Sequence, residues 1–349
     1  MTDSLPITTE MGQGSAAMER PALGPWARAL RKLVADRAAM GALTLFLAIV
    51  LLCLAAPLYA KYVAHTDPFT SNIDGTITVN GESVALIEPS TEGLGLGSVP
   101  LGPTWDIGNY FLGADGQGRD IAARLLYGGR NSLLIAGAST LMCLVLSALT
   151  GLVAGFFGGA IDTVISRVLD VLWAFPIYLL AISLSIVLIS HGFDIGPISI
   201  TAGTLWLPIF IIGIVYVPYV ARPIRGQVLS LKRSEFVMAA IGLGVPSHRI
   251  LFRDILPNVM TTLIVFVPLM MALNMLIESA LSFLSIGVQP PDASWGTIIQ
   301  DGLGLLYTRP IVSLAPGIAI VVTVLALNML GDGLRDALDP RAKLRIRQG

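Results

Sequence analysis

The stretch that decides the fold is Leu133-Leu134-Ile135-Ala136-Gly137-Ala138-Ser139-Thr140-Leu141-Met142-Cys143-Leu144-Val145-Leu146-Ser147-Ala148-Leu149-Thr150-Gly151-Leu152-Val153-Ala154-Gly155-Phe156-Phe157. It holds no Asp, Glu, Lys or Arg. A helix needs about 20 apolar residues to cross about 30 Å of hydrocarbon, and this run is long enough. Its apolar character is continuous rather than alternating, which predicts a helix and not a barrel strand. Five further runs have the same character: 38–60, 171–190, 202–221, 259–277 and 311–330. Composition agrees. Of 349 residues 54% are hydrophobic and 13% charged, where soluble chains carry about 25%. Mean hydropathy is +0.76. The expectation is an all-α polytopic membrane protein with six transmembrane helices. A net charge of −1 announces no nucleic-acid partner.

The basic residues set the direction. With the N-terminus inside, 17 of the 22 Lys and Arg fall on inside segments. The positive-inside rule then places both termini in the cytoplasm. The divisions are a cytoplasmic tail over 1–37, a first span over 38–60, and an extracytoplasmic loop over 61–131. A core over 132–330 carries five spans and an inside loop over 222–258, and a cytoplasmic tail covers 331–349. The first span reads as uncleaved, because Leu58 stands where a signal-peptide site wants a small residue. Residues 26–37 form a basic amphipathic stretch suited to the lipid surface.

Cys53 and Cys143 lie in apolar runs and read as small hydrophobes. His65, His191 and His248 are far apart and lack ligand partners at metal spacing, so no metal site or cofactor is expected. In the outside loop, Thr76–Leu86 alternates β-formers about Asn80-Gly81, predicting a small β-hairpin, with irregular chain over 93–103. The inside loop over 222–258 is too polar to cross and too patterned for a linker. A helix starts near Ser234, a candidate cap. Gly242, Gly244 and Pro246 break it, and a second basic helix over 247–256 leads to Pro257-Asn258.

That loop, Glu235-Phe236-Val237-Met238-Ala239-Ala240-Ile241-Gly242-Leu243-Gly244 with Ile255-Leu256-Pro257-Asn258, resembles the EAA loop of ABC-importer permeases. Further segments narrow the likeness to permeases for dipeptides, oligopeptides and nickel. They are Leu112-Gly113-Ala114-Asp115-Gly116-Gln117-Gly118-Arg119-Asp120, Gly158-Gly159-Ala160-Ile161-Asp162, Glu278-Ser279-Ala280-Leu281-Ser282-Phe283-Leu284, and the run from Asn328 to Arg341. The order fits the second permease of such systems, of the dipeptide permease C type. Asp254, Ala114 and Ser285 depart from the usual pattern. The resemblance implies a type I ABC-importer permease fold in the bacterial inner membrane. It implies a second permease, two cytoplasmic ATPases and an extracytoplasmic solute-binding protein as partners.

The resemblance assigns ATPase coupling to Glu235, Ala239, Ala240, Gly244, Leu256 and Pro257. Glu278 closes the fifth span near the outer interface, where an ionisable group is a functional candidate. It has three open readings: lining a translocation path, pairing with a partner subunit, or staying solvated. Asp162, Arg167 and Asp170 occupy the turn between spans two and three, where Arg167 sits one turn from Asp170 and is placed to neutralise it. Gly331 and Gly333 are expected to stop the sixth helix. Asp332 and Arg335 follow, solvated or bracing the inside loop. Trp295 reads as an interface anchor or a binding-protein contact.

No G-x-x-x-x-G-K-[ST] phosphate loop occurs, so ATP hydrolysis is expected in separate subunits, and the chain is read as non-catalytic. A secondary transporter would put carboxylates inside the spans and show paired broken helices. A membrane enzyme would show a nucleophile–base pair or H-E-x-x-H. Neither signature is visible. A scaffold subunit is excluded by no physical feature, only disfavoured by the resemblance.

Overall fold

A computed structural model describes residues 24–79, 81–89, 97–108, 110–195, 198–200 and 203–338. Helix α1 (Pro25–Ala35) is followed at once by α2 (Arg37–Leu54), whose start is capped by Asp36 accepting from the Ala38 and Ala39 amides at 2.9 and 3.3 Å. A short α3 (Ala56–Tyr59) and a π turn over Ala60–Ala64 lead outside. There β1 (Thr76–Val79) pairs antiparallel with β2 (Glu82–Ala85), and the turn residue Gly81 has φ 88°, as the hairpin reading expects. A second ribbon pairs β3 (Ile87–Pro89) with β4 (Ser98–Pro100). The expectation of irregular chain is therefore corrected over Ser98–Pro100. These strands carry their own small core of Leu86, Tyr110 and Ala114. The Arg309 Nε donates to Pro100 O at 2.7 Å and ties the loop to the last span.

Helix α4 (Ile121–Phe157) runs twelve residues further outward than its apolar stretch alone predicts. Asp120 caps it, donors being the Ala122 and Ala123 amides at 2.8 and 3.4 Å. Next come α5 (Gly159–Ala174) and α6 (Ile177–His191), which meet at 94°. Pro176 drives Phe175 out of the helical region to φ −88°, ψ 141°. The expected single span over 171–190 is thus a bend, and only α6 continues it. After β5 (Phe193–Ile195) and β6 (Ile198–Ile200), α7 (Trp206–Val215) and α8 (Val217–Lys232) meet at 43°. The inside loop holds α9 (Glu235–Gly242), the single turn α10 (Ser247–Arg249) and a π turn over Ile250–Ile255, which runs directly into α11 (Leu256–Phe283). A short α12 (Trp295–Asp301) precedes α13 (Ile311–Leu338).

Among the described residues four helices are long and apolar enough to cross a bilayer, or six spans if each bent pair counts as one. Exposed apolar side chains such as Leu51, Leu141, Val187 and Val321 suit a lipid-facing surface. The inner packing uses small residues. Ser147, Gly151 and Gly155 line one face of α4 against α8. The Ser147 hydroxyl donates to Val217 O at 3.1 Å. A Cβ on Gly155 would sit 2.8 Å from Val228 Cβ and 3.0 Å from Arg225 O. This is the small-xxx-small approach that lets membrane helices touch along their backbones. The main core joins α4, α6, α7, α8 and α11, and a second cluster joins α2, α4, α12 and α13.

Two expectations fail here. Gly331 and Gly333 do not stop the last helix, which continues to Leu338. Gly333 is instead a contact point, where an added Cβ would collide with that of Ala39 on α2. Trp295 is no interface anchor, being 1% exposed. Its indole donates to Leu125 O at 2.9 Å, and its ring fills the space left by Gly129.

Candidate functional site

The inside loop is built around one anchor. Val237 is 0% exposed and packs into the main core with Ile250, Leu251 and Ile255. Around the rest of α9, Phe236, Met238 and Ile241 are exposed, as is Leu243 just past its end, at 84%. Among the described residues nothing covers this apolar face. Glu235 and Ala239 are exposed with it, while Ala240 is half-buried and packs on the core. Gly244 takes φ 75°, which permits its amide to reach Ile241 O at 3.0 Å and the Val245 amide to reach Ala240 O at 3.1 Å. Ser234 holds the cap position by backbone only. Its hydroxyl donates backward to Leu231 O at 2.6 Å and caps nothing. Leu256 packs inward, and Pro257 stands exposed in the first turn of α11. Despite Asp254, the last turn before it packs well, with Ile250, Leu251 and Ile255 buried.

Asp162, Arg167 and Asp170 lie on the full helix α5 rather than in a turn. The expected Arg167–Asp170 neutralisation is replaced by pairing across to α8. Arg225 holds Asp162 at 2.5 and 2.6 Å, and Arg222 holds Asp170 at 2.8 Å. The guanidinium of Arg222 also sits 5.5 Å from the centre of the Trp173 ring. Arg167 is exposed and forms no ion pair among the described residues. The charges brace α5 against the start of the loop, a tertiary match that sequence spacing along α5 alone does not reveal.

Glu278 is not solvated. It lies about one and a half turns inside the end of α11 and is fully buried. The Ser282 hydroxyl donates to its Oε1 at 2.7 Å, and the hydroxyls of Ser132, Ser279 and Ser294 also face it. Among the described residues it has no ion-pair partner. The carboxyl therefore fastens α11 to α4 and to the start of α12 through hydroxyls, which is how a buried acid is satisfied without a cation. Ser294 also caps α12, and the Trp295 amide donates to Ser132 Oγ at 3.1 Å.

Just outside Glu278 lies a charged cluster that joins Asp115 and Arg119 of the Leu112 to Asp120 segment to Arg124 and Asp301. Arg119 and Arg124 are 6% and 2% exposed. Arg119 Nε donates to Asp115 Oδ2 at 2.8 Å, and Arg119 and Arg124 meet Asp301 Oδ2 at 3.0 and 2.9 Å. Arg124 Nη1 donates to Pro68 O at 3.1 Å. Its Nε lies 3.3 Å from Asp115 Oδ2 but is not aligned to donate. Gly118 makes the turn, with φ 73° and its amide on Asp115 O at 2.9 Å. The i to i+4 spacing of Asp115 and Arg119 was a local signal. Asp301, almost two hundred residues away, was not. These arginines and Asp301 wall a cavity of about 610 Å³ that is also lined by Ser282, Thr297 and Asp292.

Asp120, below the cluster, carries a carboxyl held above the usual range. Burial is the main cause, opposed by the amides it caps and the Thr66 hydroxyl, and reinforced by Asp115. At the inside end, Asp332 is exposed, and Arg335 shares a cavity wall with Pro257 and Asn258.

The family model described as binding-protein-dependent transport system inner membrane component matches residues 147–344, and that of the N-terminal TM domain of oligopeptide transport permease C matches residues 24–74. The dipeptide transport system permease protein DppC of Alkalihalophilus pseudofirmus is 34% identical, over 92% of each chain. The oligopeptide transport system permease protein OppC of Bacillus subtilis is 33% identical, over 93% of each. The glutathione transport system permease protein GsiD of Pectobacterium atrosepticum is 37% identical, over 67% of this chain and 73% of that one. A chain of the inward-facing MetNI methionine ABC transporter shares the fold at TM-score 0.50 and 16% identity, covering 62% of this chain and 96% of that one. The chain belongs to the inner membrane components of binding-protein-dependent transport systems, in the dipeptide and oligopeptide permease C branch.

Proposed function

We propose that this permease forms half of the path by which a bacterial ATP-driven importer moves di- or oligopeptides across the inner membrane. A second permease supplies the other half, and an extracytoplasmic solute-binding protein delivers the cargo. Two cytoplasmic ATPases power the importer, one of them docked on the inside loop of this chain. What carries the reading is family membership over nearly the whole chain, joined to the uncovered apolar face of α9. The three relatives named above take dipeptides, oligopeptides and glutathione by name, all short peptides.

In this reading Glu235, Ala239 and the exposed apolar residues of α9 enter a groove on the ATPase. Ala240, Gly244, Leu256 and Pro257 keep α9 at a set angle to α8 and α11. Motion of the ATPases then reaches the spans as a rigid shift between inward-open and outward-open packings. The charge pairs of α5 with α8 transmit the same shift to the bent pair α5–α6. Glu278 acts from its buried place by holding α4, α11 and α12 together under the outer cavity. Purification from native membranes in mild detergent, with mass spectrometry of the retained proteins, tests the assembly. Recovery of a second permease and Walker-motif ATPases is expected. Recovery of this chain alone under several mild conditions would overturn it.

A further inference from the structure

On the cytoplasmic side a cavity of about 920 Å³ opens between α1, α8, the start of α11 and the end of α13. Arg28 and Lys32 from α1 and Arg335 from α13 line it, and its described lining contains no acidic residue. None of the three side chains makes an ion pair or hydrogen bond with another described residue. The lining also includes Gln227, Asn258 and the hydroxyls of Thr261 and Thr262; Gln227 Nε2 donates to Asn258 O at 3.2 Å and Asn258 Nδ2 to Asp254 O at 2.7 Å, which leaves one N–H of each amide for a ligand. Three cations that are unpaired among the described residues, beside amide N–H groups and hydroxyls, make a site for a phosphate-bearing anion.

The position selects the source. Helix α1 packs on α13 through Ala29 and Leu33, the latter reaching the contact at Gly333. Its Trp26, Leu30 and Val34 recur every four residues and are all more than half exposed. That stripe suits burial in acyl chains, with the helix lying in the headgroup plane. Arg28 and Lys32 fall on the other side of the same helix, and Trp26 at its start reaches the cavity as well. Val265 and Leu338 continue the cavity with apolar surface.

We propose that this cavity binds one anionic phospholipid of the inner leaflet, its phosphate held by Arg28, Lys32 and Arg335. The lipid bridges α1 and α13 to Asn258 and Gln227, which flank the two ends of the inside loop. It thereby ties the loop to the membrane surface. The inference uses the membrane orientation of the family fold and not the identity of the transported solute.

The test uses the full-length chain with whatever subunits co-purify, in a neutral detergent, and native mass spectrometry of retained lipid. The probes are phosphatidylglycerol, phosphatidylcholine and inorganic phosphate. The wild type should retain phosphatidylglycerol over phosphatidylcholine by at least about tenfold, given roughly a fivefold gain per basic residue before screening. Arg28→Gln with Lys32→Gln and Arg335→Gln should reduce the preference to about twofold or less. Arg335→Gln alone should lower it about threefold, which keeps the test informative if the triple variant does not fold. A charge-matched control, Arg31→Gln with Arg249→Gln and Arg253→Gln, should keep the wild-type preference. Deleting residues 1–23, which carry Asp3, Glu10 and Glu19, should also leave it unchanged. Equal loss in the control would mean diffuse attraction and overturn the site. Displacement of the lipid by millimolar inorganic phosphate would make a free anion the ligand and overturn the lipid. Gain of binding only after the deletion would make the chain's own N-terminal segment the occupant and overturn it too.

Discussion

Arg124→Leu should destabilise the outer face of the permease by about 3 kcal/mol. The guanidinium is 2% exposed and makes three contacts: Asp301 at 2.9 Å, Asp115 at 3.3 Å and Pro68 O at 3.1 Å. Removing one partner of a buried charge pair costs about 3–5 kcal/mol where the remaining charge is left alone. Here both aspartates keep Arg119, at 2.8 and 3.0 Å, and the Asp301 side chain is 32% exposed, so solvent screens part of the loss. The orphaned Pro68 carbonyl adds about 1 kcal/mol. The balance falls near the low end of the range. The assay is thermal unfolding of the detergent-solubilised chain, followed by fluorescence-detected size exclusion. A shift of about 5 °C downward is expected for a chain of this size. Arg130→Leu, on the exposed side of the same helix, is the control and should shift by less than about 1 °C. Combining Arg124→Leu with Asp301→Leu should cost clearly less than the two single losses added, because the pair is then removed together. Full additivity, or a shift no larger than the control, would refute the clamp.

Other consequences follow from the same packing. Gly155→Leu forces side-chain atoms into Val228 and the Arg225 carbonyl, and should lose about 2 kcal/mol or more, read as lower yield of folded protein. Gly137→Ala, facing open space except for Met271 at 3.9 Å, should be neutral in the same assay. Glu278→Gln keeps an acceptor for the surrounding serines and should leave the folded yield near wild type. Glu278→Leu strands those hydroxyls and should cost about 1–3 kcal/mol. Asp120 has a pKa raised by burial, so its charged form is disfavoured by folding. Its contribution is fully present below the ordinary carboxylate pKa and is lost as pH rises through the raised value. Asp120→Asn keeps the cap and should remove that part of the slope of unfolding temperature against pH. An unchanged slope in the variant would contradict the assignment.

The spans were legible because a bilayer imposes one rule on every backbone, and none of the six stretches breaks it with a charge. The hairpin was legible for an equally local reason, since Asn80-Gly81 fixes a two-residue turn. What could not be read was tertiary. Gly331 and Gly333 look like a helix stop, yet Gly333 is small because Ala39 presses against it. Arg167 is the sequence neighbour of Asp170, but α8 runs alongside and Arg222 reaches it first. Trp295 has the composition of a headgroup anchor, while Gly129 opens a slot that draws it inward. Two signals were present and unused: Pro176, which bends α5 against α6, and the Gly151-x-x-x-Gly155 spacing, which marks the α8 contact.

In the proposed importer the exposed side of α9 is where an ATPase subunit attaches. Ala239 is the position to probe, because it is exposed on that face whereas Ala240 already packs inward. A photo-crosslinking residue at Ala239, activated in native membranes and analysed by mass spectrometry, measures the contact directly. The account predicts one dominant product joining this chain to a Walker-motif ATPase, absent when the same probe replaces the lipid-facing Leu141. Crosslinks to lipid alone, or equal ATPase yield from both positions, would contradict it.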